Sequence, residues 1–233
     1  MTYFETTACV EQITPLTDSI LHLVLTPEQY IDYQAGQYLQ LLVGDATPCY
    51  SIANAPLGSR KYELHIRHNS NNPLDQRLLD ELKRKGRIML RAPFGICNWK
   101  HLQHPIKPIL FIAAGTGFAP VHAMIEQLLA LGDTRAFELV WGARLQSDLY
   151  LDEKVKQWQN RVQKFRYESV LTQHNKKTLV SVVLANHPRD LKDWQIIISG
   201  PFDMVYSTRD RLVEQGVALE NLYSDAFQFE EYK

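Results

Sequence analysis

The chain has 233 residues, 45% of them apolar, enough for one large core or two small ones. Its 25 Lys and Arg nearly balance its 26 Asp and Glu, and the short basic run Lys83-Arg84-Lys85 is flanked by Asp80 and Glu81, which argues against a nucleic-acid surface and for a solvated helix face. No apolar run approaches the ~20 residues that cross a bilayer, and Met1-Thr2-Tyr3-Phe4-Glu5 has no signal-peptide pattern, so no membrane role is expected.

Cys9, Cys49 and Cys97 lie far apart, with no C-x-x-C pair and no iron–sulfur spacing. No metal is expected, and the reducing cytoplasm is the natural compartment.

Up to about residue 95 the chain reads mostly as strands. Ile20-Leu21-His22-Leu23-Val24-Leu25 alternates with period two, and Tyr38-Leu39-Gln40-Leu41-Leu42-Val43 does so less cleanly. Lys61-Tyr62-Glu63-Leu64-His65-Ile66-Arg67 is the clearest case, with Tyr62, Leu64 and Ile66 on one face. Between it and the strand Arg87-Ile88-Met89-Leu90-Arg91, the spacing of Leu78, Leu79 and Leu82 predicts a helix over Asp75 to Lys85, ended by Gly86. Many short strands and one helix suggest a small antiparallel barrel over residues 1–99.

Residues 100–107, with two histidines and Pro105, read as a linker to a second domain at 108–233. Pro108-Ile109-Leu110-Phe111-Ile112-Ala113-Ala114 is continuously apolar, as suits a strand buried on both faces. Gly115-Thr116-Gly117 breaks it, and a helix follows from Pro120, carrying Val121, Met124, Ile125, Leu128 and Leu129 and ending at Gly132. Further strands are expected at Phe137 to Gly142, Phe165 to Leu171 and Gln195 to Ser199, with helices at Asp148 to Trp158 and Phe202 to Gln215. Strands alternating with helices imply a parallel sheet with crossovers.

A glycine turn between a buried strand and a helix suits phosphate, because the backbone approaches closely and the helix start offers N–H groups. Gly115-Thr116-Gly117 matches neither G-x-G-x-x-G nor the P-loop, so a plain tight turn stands beside the phosphate reading. Ser199-Gly200-Pro201 repeats the design, and both turns fall on the carboxyl edge of a parallel sheet, where ligands bind.

Taken in order, Tyr33-Gln34-Ala35-Gly36-Gln37-Tyr38, Tyr50-Ser51-Ile52-Ala53-Asn54, Ala113-Ala114-Gly115-Thr116-Gly117-Phe118-Ala119-Pro120 and Ser199-Gly200-Pro201 resemble the ferredoxin–NADP reductase superfamily. Within it, the set is similar to the bacterial NAD(P)H:flavin oxidoreductases, and Tyr223-Ser224-Asp225-Ala226-Phe227-Gln228-Phe229 resembles their tail. The resemblance spans about residues 8–229. It implies a Greek-key antiparallel flavin barrel followed by an α/β nucleotide-binding domain with a parallel sheet.

The resemblance also implies roles. The flavin ring lies against Pro48-Cys49-Tyr50-Ser51 and His65-Ile66-Arg67, with the Ser51 hydroxyl near flavin N5. Gly115, Thr116, Gly117 and Phe118 hold the phosphates of NADH or NADPH, and Ser199, Gly200 and Pro201 pass near the nicotinamide. Hydride then moves from nicotinamide C4 to flavin N5, with Ser51 as the catalytic donor.

Tyr50 packs on the ring or in the core, and His65 reads as a surface or barrel histidine rather than an acid or base, its backbone being the contact that the resemblance implies. Arg144 meets the adenosine ribose or a 2′-phosphate, or is a salt-bridged surface residue, and Asp225 is a weaker candidate for either ligand. Cys49 has no neighbouring base to make it a nucleophile.

Three positions depart from the family pattern. Pro48 stands where many members have Arg, which removes a bidentate phosphate partner. Ser70-Asn71-Asn72-Pro73-Leu74-Asp75 has no glycine where FAD-retaining members cradle the diphosphate, and it brings a carboxylate. Ser199 stands where many relatives have Cys. The expectation is a flavin (riboflavin, FMN or FAD) that binds weakly and leaves reduced; a monooxygenase, a ferric acceptor and luminescence are all open as its use, and no residue chooses among them. The alternatives are a flavin-retaining electron-transfer reductase for a ferredoxin or oxygenase, and a non-catalytic module on the same scaffold.

Overall fold

The structure, a computed structural model, describes residues 2–102, 104–173 and 177–232. Residue 103 of the expected linker and residues 174–176 of the expected second domain lie outside the described residues. The chain forms two compact units, one of Met1–Trp99 with Ala119–Gly132, the other of Lys100–Phe118 with Asp133–Lys233.

The first unit is built on strands β1 (Phe4–Thr17), β2 (Ile20–Pro27), β3 (Tyr38–Leu41), β4 (Cys49–Ser51), β5 (Tyr62–Arg67) and β6 (Arg87–Phe94), with helices α1 (Pro73–Lys85) and α2 (Phe118–Ala130). The strands pair antiparallel in the order β4-β3-β6-β1-β2-β5. A bridge between Ile52 and Leu64 brings the end of β4 beside β5, so the sheet curls towards a barrel. The alternation read in β5 holds: Tyr62, Leu64 and Ile66 are in the core with Leu39, Leu41 and Ile52.

β1 is the strand that periodicity does not show. Its register slips between Val10 and Gln12 and between Pro15 and Thr17, which breaks the two-residue alternation. It nevertheless pairs with both β2 and β6. α1 starts at Pro73 rather than Asp75, because the Asn72 side chain caps it and Pro at the first turn sacrifices no hydrogen bond. Gly86 ends it with φ of 64°, its N–H bonding Leu82 O. α2 is buried nearly all round: Val121, Ala123, Met124, Ile125 and Leu128 are each at most 1% exposed, as is no ordinary amphipathic helix.

The second unit holds a parallel sheet of β7 (Ile109–Ala114), β8 (Phe137–Ala143), β9 (Phe165–Leu171), β10 (Gln195–Ser199) and β11 (Leu222–Tyr223), in the order β11-β10-β7-β8-β9. Helices α3 (Asp152–Arg161), α4 (Leu179–Asn186) and α5 (Phe202–Glu214) connect or follow these strands. Ile109 to Ala113 are fully buried, as a central parallel strand requires. β10 pairs with β7 so that Ser199 stands opposite Ala113, which sets the two glycine turns side by side at the carboxyl edge. Among the described residues no helix is long and apolar enough to cross a membrane, and no cluster of His, Cys, Asp and Glu suits a metal.

Candidate active site

In the first unit the flavin motif is the short strand β4 and its exit. Tyr38 pairs with Ser51 and Leu39 with Tyr50. Strand alternation therefore sends Ser51 to the Tyr38 face and Tyr50 to the Leu39 face, against the barrel core. Burial pushes the Tyr50 phenol up to about 12, with the Asp75 carboxylate adding to the effect, so Tyr50 stays protonated and packs. Ser51 is half-buried, and among the described residues nothing hydrogen-bonds its hydroxyl. That hydroxyl is open to solvent or to a ligand. Cys49 is exposed, with Gln40 Nε2 at 3.7 Å from its sulfur, and the Pro48 carbonyl accepts Leu41 N–H at 3.0 Å.

The three predicted residues of β5 go different ways. His65 is 7% exposed, because His22 of β2 and His122 of α2 lie against its ring at centroid separations of 5.8 and 5.5 Å. The Ile66 side chain points into the core, so only its main chain is available to a ligand. Arg67 is exposed at the strand end, and among the described residues its guanidinium pairs with no carboxylate.

The N-terminus of α1 is spoken for. Asn72 Oδ1 accepts Leu74 N–H at 2.9 Å and Asp75 N–H at 3.4 Å. Asp75 Oδ2 accepts Asn69 N–H at 2.8 Å, and Pro73 has no N–H to give. A carboxylate and an occupied cap leave no cradle there for a phosphate.

In the second unit Gly115, Thr116 and Gly117 form one tight 3₁₀ turn leading from β7 into α2. Gly115 has φ of 54° and its carbonyl accepts Trp141 Nε1–H at 3.0 Å. A Cβ at Gly117 would stand 2.6 Å from the Ser199 carbonyl carbon and 2.7 Å from Gly200 Cα. This glycine lets the two turns touch, a packing reason that stands beside any approach of a ligand. Phe118 is fully buried and stacks on Trp141 at 4.0 Å, so its ring braces the turn rather than facing a nucleotide. The hydroxyls of Thr116 and Ser199 are half-buried and, among the described residues, take no protein partner. Pro201 opens α5, its carbonyl accepting Val205 N–H at 3.0 Å.

Arg144 follows β8 at the same carboxyl edge, is exposed, and among the described residues makes no salt bridge. Asp225 begins the tail after β11 and accepts Gln228 Nε2–H at 3.1 Å. Sequence reasoning passed over Tyr38, opposite Ser51, and the Trp141 bond to Gly115. Tyr38 lay inside a quoted motif and strand register alone assigns its face; nothing local marks Trp141.

A family model described as oxidoreductase NAD-binding domain matches residues 111–210. The chain is 31% identical over 215 residues to the CDP-6-deoxy-L-threo-D-glycero-4-hexulose-3-dehydrase reductase of Yersinia pestis, covering 90% of this chain and 64% of that protein. It therefore spans less than two thirds of that relative's length. It is 28% identical to an NAD(P)H-flavin reductase of Vibrio harveyi, covering 94% of this chain and 97% of that one. Its fold matches a ferredoxin NADP+ reductase from Neisseria gonorrhoeae with bound FAD and NADP, at a TM-score of 0.75 and 16% identity, over 93% of this chain and 92% of that one. The curled antiparallel sheet and the parallel sheet are thus those of the ferredoxin–NADP reductase fold, and residues 111–210 carry the pattern of the oxidoreductase NAD-binding domain.

Proposed function

We propose that this chain is an NAD(P)H:flavin oxidoreductase that takes riboflavin, FMN or FAD as a dissociable substrate. The observation that carries this reading lies within the first unit: a half-buried Ser51 hydroxyl left for a ligand, together with an α1 N-terminus closed by Asn72 and Asp75. That combination offers a ring contact without a phosphate grip. The near full-length likeness to an NAD(P)H-flavin reductase supports it.

When bound, the two ligands supply the redox chemistry, a hydride passing from nicotinamide C4 to flavin N5. The protein's own part is to bind and orient. We assign the flavin to residues 1–99, where Ser51 donates its O–H to the ring and Arg67 and the His65 main chain flank it. We assign the nicotinamide nucleotide to residues 108–233. There the Gly115–Gly117 turn and the Thr116 hydroxyl take phosphate, Ser199-Gly200-Pro201 backs the nicotinamide, and Arg144 takes the adenosine ribose or a 2′-phosphate. We assign the cytoplasm as compartment, in keeping with the free thiols of Cys9 and Cys49.

Mixing the dialysed protein with NADH or NADPH and each flavin, and following nicotinamide absorbance, tests the reading. A second reading, a flavin-retaining reductase that hands electrons to a separate oxygenase or ferric acceptor, is favoured by the likeness to a dehydrase reductase. Stoichiometric flavin surviving dialysis selects the second reading. No nicotinamide oxidation with any flavin selects a non-catalytic module.

A further inference from the structure

Beyond the residues assigned above, the first unit holds a tier of five titratable side chains. Glu63 Oε2 lies 2.9 Å from His22 Nε2, the His22 ring meets His65 edge-on, and His65 meets His122 at an interplanar angle of 70°. His122 is 3% exposed, and its Nε2 lies 3.6 Å from Glu126 Oε1, one turn further along α2. Apolar side chains would attach a helix to a sheet without the desolvation that buried titratable groups suffer. The end of the tier formed by α2 holds main chain instead. His122 Nδ1 is 2.6 Å from Ala53 O, and because a carbonyl only accepts, Nδ1 carries the proton. Glu126 Oε2 accepts Ala55 N–H at 3.3 Å.

These two backbone groups lie just beyond the flavin strand. Ala53 is two residues past Ser51, and its own N–H bonds Glu63 O at 2.7 Å. Ile52, between them, bridges to Leu64. The chain leaving Ser51 is therefore held by β5 on one side and by α2 on the other.

We propose that His122, with Glu126, is a positioning residue for the flavin strand: by clasping Ala53 and Ala55 it fixes the exit of β4 and, through it, the Ser51 hydroxyl. The proposal rests on the flavin reading given above. The measurement is riboflavin affinity, read from quenching of riboflavin fluorescence with no nicotinamide present, for wild type, His122→Leu and His122→Asn. Leu keeps the bulk and loses the donor, whereas the Asn amide N–H reaches the place of Nδ1. His122→Leu weakens riboflavin about tenfold, and His122→Asn stays within about threefold of wild type.

His122→Leu binding like wild type, or His122→Asn failing as badly as His122→Leu, overturns the proposal. If His122→Leu does not fold, Glu126→Ala carries the test at a position whose side chain is 25% exposed. A loss of about threefold supports the clasp and unchanged affinity overturns it. Wild type that binds riboflavin yet oxidises neither NADH nor NADPH ends the reductase reading and leaves the clasp to be judged on these affinities. Wild type that does not bind riboflavin ends both.

Discussion

At the scale of single residues, the reductase reading turns on Ser51 and Gly117, one in each unit. Ser51 keeps a half-buried hydroxyl with no protein partner among the described residues. A preorganised donor of this kind contributes most where charge develops, so Ser51→Ala lowers kcat for riboflavin reduction about ten- to a thousandfold while Tm stays within a few degrees. Unchanged turnover removes Ser51 from the chemistry. Gly117 fails differently, because an added methyl meets backbone of Ser199 and Gly200 rather than a side chain that can swing away. Gly117→Ala costs about 1–3 kcal/mol and raises the KM for nicotinamide nucleotide, while riboflavin affinity, a property of the other unit, is unchanged. Equal loss of both affinities contradicts the division of labour.

At the scale of elements, caps and clasps decide what each helix can do. Asn72 closes α1, and Asn72→Ala lowers stability by about 1 kcal/mol, seen as a lower midpoint in urea. On β8 of the second unit, Glu138 Oε2 lies 2.9 Å from His187 Nε2 at the C-terminal end of α4. The hydrogen bond to Glu138 raises the His187 pKa above its ordinary value, against the opposing effect of burial. A raised folded pKa means stability present below the unfolded value of about 6.5 and lost as pH climbs through the folded value. Tm therefore declines as pH rises through that window, and His187→Gln flattens the decline; an identical pH profile in the variant removes this pair from the account. The clean period of β5 and the apolar run of β7 were legible in the sequence, as was the presence of α2 and α3, though α2 begins at Phe118 rather than Pro120 and α3 covers Asp152–Arg161 rather than Asp148 to Trp158. β1 was not legible, because two register shifts hide its alternation, and the start of α1 was not, because a side-chain cap at Asn72 carries no period. Nor was the clasp of His122 on Ala53, which joins residues 69 apart in the chain.

At the scale of the whole molecule, the order of motifs said more than any one of them. Tyr50-Ser51 alone is strand content and Gly115-Thr116-Gly117 alone is a turn. Their sequence along one chain anticipated a curled antiparallel sheet and a parallel sheet, and both are present. The site was legible only in part. Ser51 and Arg67 keep polar groups with no side-chain partner among the described residues, whereas the Phe118 ring and the Ile66 side chain went into cores, where motif position gives no hint of direction. The occupied N-terminus of α1 is likewise a detail that no motif carries. The most direct measurement of the central claim is nicotinamide oxidation by exhaustively dialysed protein, with and without added riboflavin. The account predicts no oxidation until riboflavin is added, then steady turnover that rises with its concentration and saturates. Silence at every concentration of riboflavin, FMN and FAD, with both NADH and NADPH, would contradict it.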